Sequence, residues 1–203
     1  MPQKQNETAL SHLQAAARNN PKDAIAWHRL GVASNQHRQF AAAHAAYEKA
    51  LSLQPDNVKI LSNMGANLND SGDYRQAETC LRKALAIEPI PIVKLNLAAA
   101  LIGQGKRTEE VKTLAGKVLT DIDPAADRHS QIVCAAAYCQ MAEAMTWESR
   151  VTEAAAHYRQ AAVLNPESST PYVGLGNLLI DEGKFAEAEG VLAKVPEQSP
   201  AYP

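Results

Sequence analysis

Eight positions recur along this chain at a fixed interval, and their residue types recur with them. Trp27, Leu30, Gly31, Phe40, Ala43, Tyr47, Ala50 and Pro55 reappear 34 residues later as Leu61, Met64, Gly65, Tyr74, Ala77, Leu81, Ala84 and Pro89. A shift of 145 gives Tyr172, Leu175, Gly176, Phe185, Ala188, Leu192, Val195 and Pro200. The order large, large, small, aromatic, small, large, small, proline is kept each time. A period of this size marks a chain of stacked supersecondary units, none of which buries its apolar face alone.

The spacing inside one period is helical. Trp27, Leu30, Gly31 and Ser34 fall at i, i+3, i+4 and i+7, on one face of a first helix. Ala43, Tyr47 and Ala50 do the same on a second helix. Small residues at Gly31 and Ala43 let the two approach closely, with Tyr47 filling the space beside them. Asn35–Arg38 supplies the turn between them, and in the next copy Gly72 is free to take positive φ there. Pro55 ends the second helix because it has no N–H to donate, and Asp56 or Asn57 caps the next one. The chain is 46% hydrophobic but only 5% aromatic. That balance suits close-packed helices, because strands favour β-branched and aromatic residues.

In this pattern the sequence closely resembles the tetratricopeptide repeat family. The resemblance implies an all-α, right-handed superhelical solenoid of antiparallel helix pairs, about eleven helices in all. Residues 1–23 are expected to be an N-terminal half-repeat, in which residues 4–19 form a lone second helix. There Ala9, Leu13, Ala16 and Pro21 lie 34 before Ala43, Tyr47, Ala50 and Pro55. Full repeats are expected over 24–57 and 58–90, and a degenerate one over 91–124. A fourth, over 125–168, has a lengthened first helix, and 169–203 holds a fifth plus the start of a further helix. In the third copy Leu95, Ala98, Ala99, Val111, Ala115 and Val118 fit one register, whereas Leu97, Ala98, Leu101 and Gly105 fit another shifted by one. Both stay open, and either way Arg107 or Thr108 replaces the turn aromatic. In the fourth, Val151, Ala154, Tyr158, Ala161 and Pro166 lie 111 after their counterparts in the first. The segment 127–146 reads as a long helix and Thr146–Arg150 as its turn.

Catalytic and metal chemistry find little support. The six histidines form no HExxH, and Cys134 and Cys139 stand five apart rather than in a CxxC. Gly174-Leu175-Gly176 and Gly103-Gln104-Gly105 lack the strand and third glycine of a phosphate loop. No GxSxG elbow occurs. The sequence therefore predicts a non-enzyme with no cofactor and no metal. Formal charge is −2 with both signs interspersed, so no basic field exists to hold nucleic acid. Three cysteines without paired spacing and a polar first segment, MPQKQNETALSHLQ, point to a cytoplasmic protein with no membrane span.

The resemblance also implies where a partner binds, namely a concave groove lined by first helices. Ile25, His28, Arg29 and Gln36 are expected there in the first copy, along with Val32 and Asn35. Lys59, Ser62, Asn63, Asn69 and Asp70 follow in the second, Asn96 in the third, and Asn177 and Asp181 in the fifth. The family's carboxylate clamp is missing, because His28 and Val32, or Ser62 and Ala66, stand where a Lys and an Asn would. An asparagine ladder is partial, with Asn63 in place and Asn96 in place only in the shifted register. The expected function is a protein–protein interaction module, a scaffold or adaptor taking a peptide segment or a helix. The alternatives are a docking region of a larger enzyme, such as a repeat-bearing transferase, and a dedicated secretion or assembly chaperone. At the C-terminal end, Ala188, Val191, Leu192 and Val195 are expected to form an open apolar face, available for self-association or a following repeat.

Overall fold

The computed structural model describes residues 2–106 and 109–196, with side chains described from Ala9 onward. Among the described residues there are eleven helices and no strand. They are α1 (Pro2–Asn19), α2 (Ala24–Gln36), α3 (Phe40–Leu53), α4 (Val58–Asp70), α5 (Tyr74–Ile87), α6 (Pro91–Gly103), α7 (Glu109–Asp121), α8 (Arg128–Trp147), α9 (Val151–Leu164), α10 (Thr170–Asp181) and α11 (Phe185–Leu192). They fall into two compact units, divided between Gln104 and Gly105.

Helix starts in the first unit follow local chemistry. Asp23 accepts from the N–H groups of Ile25 at 2.8 Å and Ala26 at 3.1 Å, giving α2 an N-cap. Asn57 caps α4 through Ile60 N–H at 3.2 Å, and Asp73 caps α5 through Gln76 N–H at 3.3 Å. Pro91 opens α6, where its missing N–H costs nothing. Between paired helices one residue per turn is left-handed: Arg38 at φ 56° and Gly72 at 83°.

The core of this unit is built where the period places it. Tyr47, Ala43 and Ala50 are closed off from solvent, as are Leu61, Ala77, Leu81 and Ala84. A Cβ added to Gly31 would lie 2.6 Å from Tyr47 Cε1, and one added to Gly65 would lie 2.4 Å from Leu81 Cγ. Both glycines are thus close-approach positions, where the facing side chain fills the missing side chain's space. Tyr74 reaches further and lies over Gly103 of α6.

In α1 the register differs from the expected one. Leu10 and Ala17 are buried and Leu13 partly so, whereas Ala9 and Ala16 face solvent. The helix is turned by one residue because that puts Leu10, a far larger apolar side chain than Ala9, against Leu30 and Ala46. In the third copy each of the two registers holds for one helix. The α6 helix buries Leu97, Ala98 and Leu101, 67 after Leu30, Gly31 and Ser34, and Gly105 takes φ 72° at the turn. The α7 helix buries Val111, Ala115 and Val118, 68 after Ala43, Tyr47 and Ala50. One extra residue lies between them, and Arg107 and Thr108 lie outside the described residues.

The second unit packs α7 on α8, α8 and α10 on α9, and α11 on α10. Asp127 caps the 20-residue α8 through Ser130 N–H at 2.7 Å, a bond that holds its carboxyl below the usual range. Arg128 then donates to Leu164 O at 2.8 Å and Asn165 Oδ1 at 3.0 Å, so the first turn of α8 closes the C-terminus of α9. Lys112 of α7 joins Glu148 in the turn after α8, and Arg150 joins Glu148 and Glu153. The expected open apolar face at the end is not open. Ala188 is 2% exposed, Leu192 covers Gly176, and Val191 packs against the α8–α10 core. The helix turns these residues inward because Gly176 leaves a hollow in α10 that Leu192 fills. Pro200 and the Ala201–Pro203 segment lie outside the described residues.

Candidate protein-binding face

In the first unit α2 adjoins α4, and α4 adjoins α6. Side chains tie these first helices together. Asn63 Nδ2 donates to His28 Nε2 at 2.8 Å, and Asn35 Nδ2 donates to Asp70 Oδ2 at 3.0 Å. Asn69 Nδ2 donates to the carbonyl of Asn96 at 2.8 Å. His28 also tilts against the Tyr47 ring, 6.1 Å between centroids, so this side of the helices is braced on the core.

Above these ties the helices present helical stripes. On α2 the stripe is Ile25, Arg29, Val32 and Gln36; on α4 it is Lys59, Asn63, Ala66 and Asp70. Ile25 is 57% exposed, and Arg29, Gln36, Lys59 and Asp70 are open to solvent. Val32 and Ala66 make a low middle row between the larger side chains. The face is electrostatically polar, with Arg29 and Lys59 towards the helix N-termini and Asp70 at the C-terminal end.

Several expected residues serve other purposes. Ser62 is buried at 4% exposure, within the helix packing rather than on an open surface, because α4 carries buried Ile60, Leu61 and Ser62 in succession where neighbours cover it on more than one side. Asn63 and Asn69 have their amide N–H groups committed to neighbouring helices, so they brace the face. Asn96 is half-buried and contributes its backbone carbonyl. Asn177 and Asp181 are exposed on α10 in the second unit, one helical turn apart.

Two residues escaped the sequence reading. Ile92 of α6 is 44% exposed and lies 67 after Ile25, but the unresolved register of the third copy hid the correspondence. Asn67 is 1% exposed and donates to Phe40 O at 3.3 Å, and no repeat position signals an amide there.

The cysteine thiols are not activated. Burial pushes the Cys80 thiol up to about 11 and the Cys139 thiol up to about 12, so neither is a thiolate at neutral pH. Among the described residues no three His, Cys, Asp or Glu side chains converge to hold a metal ion. No described helix is long and apolar enough to cross a membrane.

His28 is the imidazole that this face holds against the core. Burial, then Lys59, then Arg29 lower its pKa below the ordinary 6.5. A proton on Nε2 would also set an N–H against the Asn63 amide N–H. The neutral form is therefore the native one, and its stabilising contribution is present above the unfolded value. It is lost as pH falls through 6.5 towards the lowered folded value. We expect denaturant midpoints to drop between pH 7.5 and pH 5, and His28→Gln to flatten part of that slope. An identical slope in the variant would show that His28 is not the group responsible.

Paired helices repeated around close-approach glycines, with first helices forming a braced polar face, define a helix-pair repeat protein of the interaction type. The chain belongs to the tetratricopeptide repeat family: a family model of that description matches residues 34–90 and 148–203, and a second matches residues 3–60. Superkiller protein 3 of Schizosaccharomyces pombe is 30% identical over 99 residues, covering 48% of this chain and 7% of that protein. The peroxisomal targeting signal receptor of Kluyveromyces lactis is 34% identical over 76 residues, covering 36% and 13%. The O-mannosyl-transferase TMTC3 of Mus musculus is 24% identical over 192 residues, covering 94% and 18%. This chain thus spans less than a fifth of the length of each. Among solved structures, the type IV pilus biogenesis factor PilW superposes with a TM-score of 0.75 at 18% identity, over 96% of this chain and 86% of that one. YrrB, described as having an unusual peptide-binding site, gives 0.59 at 17% identity, over 90% and 89%.

Proposed function

We propose that this protein is a cytoplasmic scaffold or adaptor that holds a peptide segment of a partner on the face formed by α2, α4 and α6. The observation that carries this reading is the braced face itself: exposed Ile25, Arg29, Lys59 and Asp70 stand on helices locked together by three side-chain bonds. A template whose side chains are already ordered binds at a lower entropic cost. Its charge layout favours a segment with an acidic residue beside Arg29 and Lys59 and a basic one beside Asp70, around a small apolar residue over Val32 and Ala66. A free thiol at each of Cys80, Cys134 and Cys139 favours a reducing compartment. The likeness to TMTC3 over nearly the whole chain supports a second reading, in which this face is the docking region of a larger transferase.

A displayed library of random linear peptides tests the first reading. Selected binders should be enriched in the acidic–apolar–basic order, and Arg29→Glu with Lys59→Glu should weaken them by about tenfold or more while circular dichroism stays helical. Binders of no common charge order, indifferent to both reversals, would contradict it.

A further inference from the structure

The helices α3 and α5 both pack on α4, and their backbones do not approach each other closely. Between them lies a cleft of about 710 Å³. Its floor is a single stripe of α4 at i, i+3 and i+7, in which half-buried Met64 stands between the deeply set Leu61 and Leu68. The seven helical rises from Leu61 to Leu68 make that stripe about 10 Å long. Leu51 of α3 and the half-buried Cys80 of α5 form the apolar walls. One end is shut where Lys83 Nζ donates to Pro55 O at 2.8 Å and pairs with Asp56 at 3.1 Å. This cleft is separate from the binding face described above, because α4 turns a different stripe, Lys59 to Asp70, to that face.

Opposite charges flank the cleft. Glu48 stands on the α3 wall, approached by His44 of its own helix at 3.6 Å, and Arg75 stands on the α5 wall. Neither is paired with the other. An apolar floor between one anionic and one cationic wall fits an occupant with an apolar stripe and flanks of opposite sign. The occupant's backbone is constrained as well. An extended segment laid over Leu61, Met64 and Leu68 would leave its N–H and C=O groups facing apolar side chains, whereas a helix carries its own hydrogen bonds.

We propose that the α3–α5 cleft is a second docking site, which takes an amphipathic helix of a partner protein with acidic residues along one flank and basic residues along the other. The helix seats a bulky apolar side chain on Met64 and Leu51, the half-buried apolar residues of the cleft. Its acidic flank lies along Arg75 and its basic flank along Glu48.

The test uses the full chain and a displayed library of helices about 18 residues long, sufficient to hold a helix on their own. Each carries a fixed apolar stripe, with flank positions drawn from Glu, Lys and Gln. Selected helices should carry opposite signs on their two flanks in either chain direction and should shift the Met64 methyl resonance. Thr79→Trp, which fills the cleft from an exposed rim position, should weaken them by about tenfold, and Glu48→Lys should do so as well. Arg29→Glu with Lys59→Glu should leave them unchanged, which separates this site from the peptide face. Flanks without opposite signs, or binding untouched by both cleft variants, would overturn the proposal. So would a Met64 shift caused by dodecanoate or by self-association in place of any selected helix.

Discussion

Tyr158→Ala is expected to destabilise the second unit by about 3–5 kcal/mol, the range for removing a large buried aromatic. Tyr158 is 8% exposed and sits among Ala142, Met145, Leu175 and Leu179, so it joins α8, α9 and α10 at once. Its ring covers Gly174, where an added Cβ would lie 2.4 Å from Cε1. The cavity left behind cannot collapse cheaply, because the facing position is a glycine with no side chain to advance. Tyr158→Phe keeps the ring and should cost only about 0.5–1.5 kcal/mol, the contribution of one hydroxyl hydrogen bond. Urea unfolding of the two variants, followed by circular dichroism, gives both numbers. Equal midpoints for alanine and phenylalanine would show that the ring does not hold this unit together.

Gly65→Leu is expected to cost about 1–3 kcal/mol in the first unit through overpacking. The clash is with Leu81, which is 0% exposed and has no direction in which to retreat. Leu81→Ala alone should cost about 2–5 kcal/mol as a cavity, but in the Gly65→Leu background the new side chain occupies part of that space. The double variant should therefore be less destabilised than the sum of the two, with a coupling of about 1 kcal/mol or more. Additive costs would mean that the two residues do not face each other.

The repeat was readable because it rests on short-range facts. A glycine opposite a large side chain, an alanine at each crossing and a proline past each second helix all recur within 34 residues. What escaped depends on how helices far apart in sequence settle on each other. The α1 register follows from whether Leu10 or Ala9 packs better on Leu30, a choice the spacing alone does not make. The third copy looked ambiguous because one inserted residue leaves α6 in one register and α7 in the other. Of the expected groove residues, Ile25, Arg29, Gln36, Lys59 and Asp70 are exposed, as their helical spacing implies. Ser62 is not, because α4 is covered on more sides than a lone helix pair suggests. The ties between first helices, Asn63 to His28 and Asn69 to Asn96, were invisible for the same reason. A sequence gives an asparagine's position on a helix but not the neighbour within its reach.

The central claim is that the face of α2, α4 and α6 is where a partner peptide lies. It is tested most directly by mapping backbone amide shifts of the labelled protein as a selected peptide is titrated in. The account predicts that the largest shifts fall on Ile25, Arg29, Val32, Gln36, Lys59, Asn63, Ala66 and Asp70, with α9 to α11 unmoved. Saturable binding whose shifts fall wholly outside α2, α4 and α6 would contradict it.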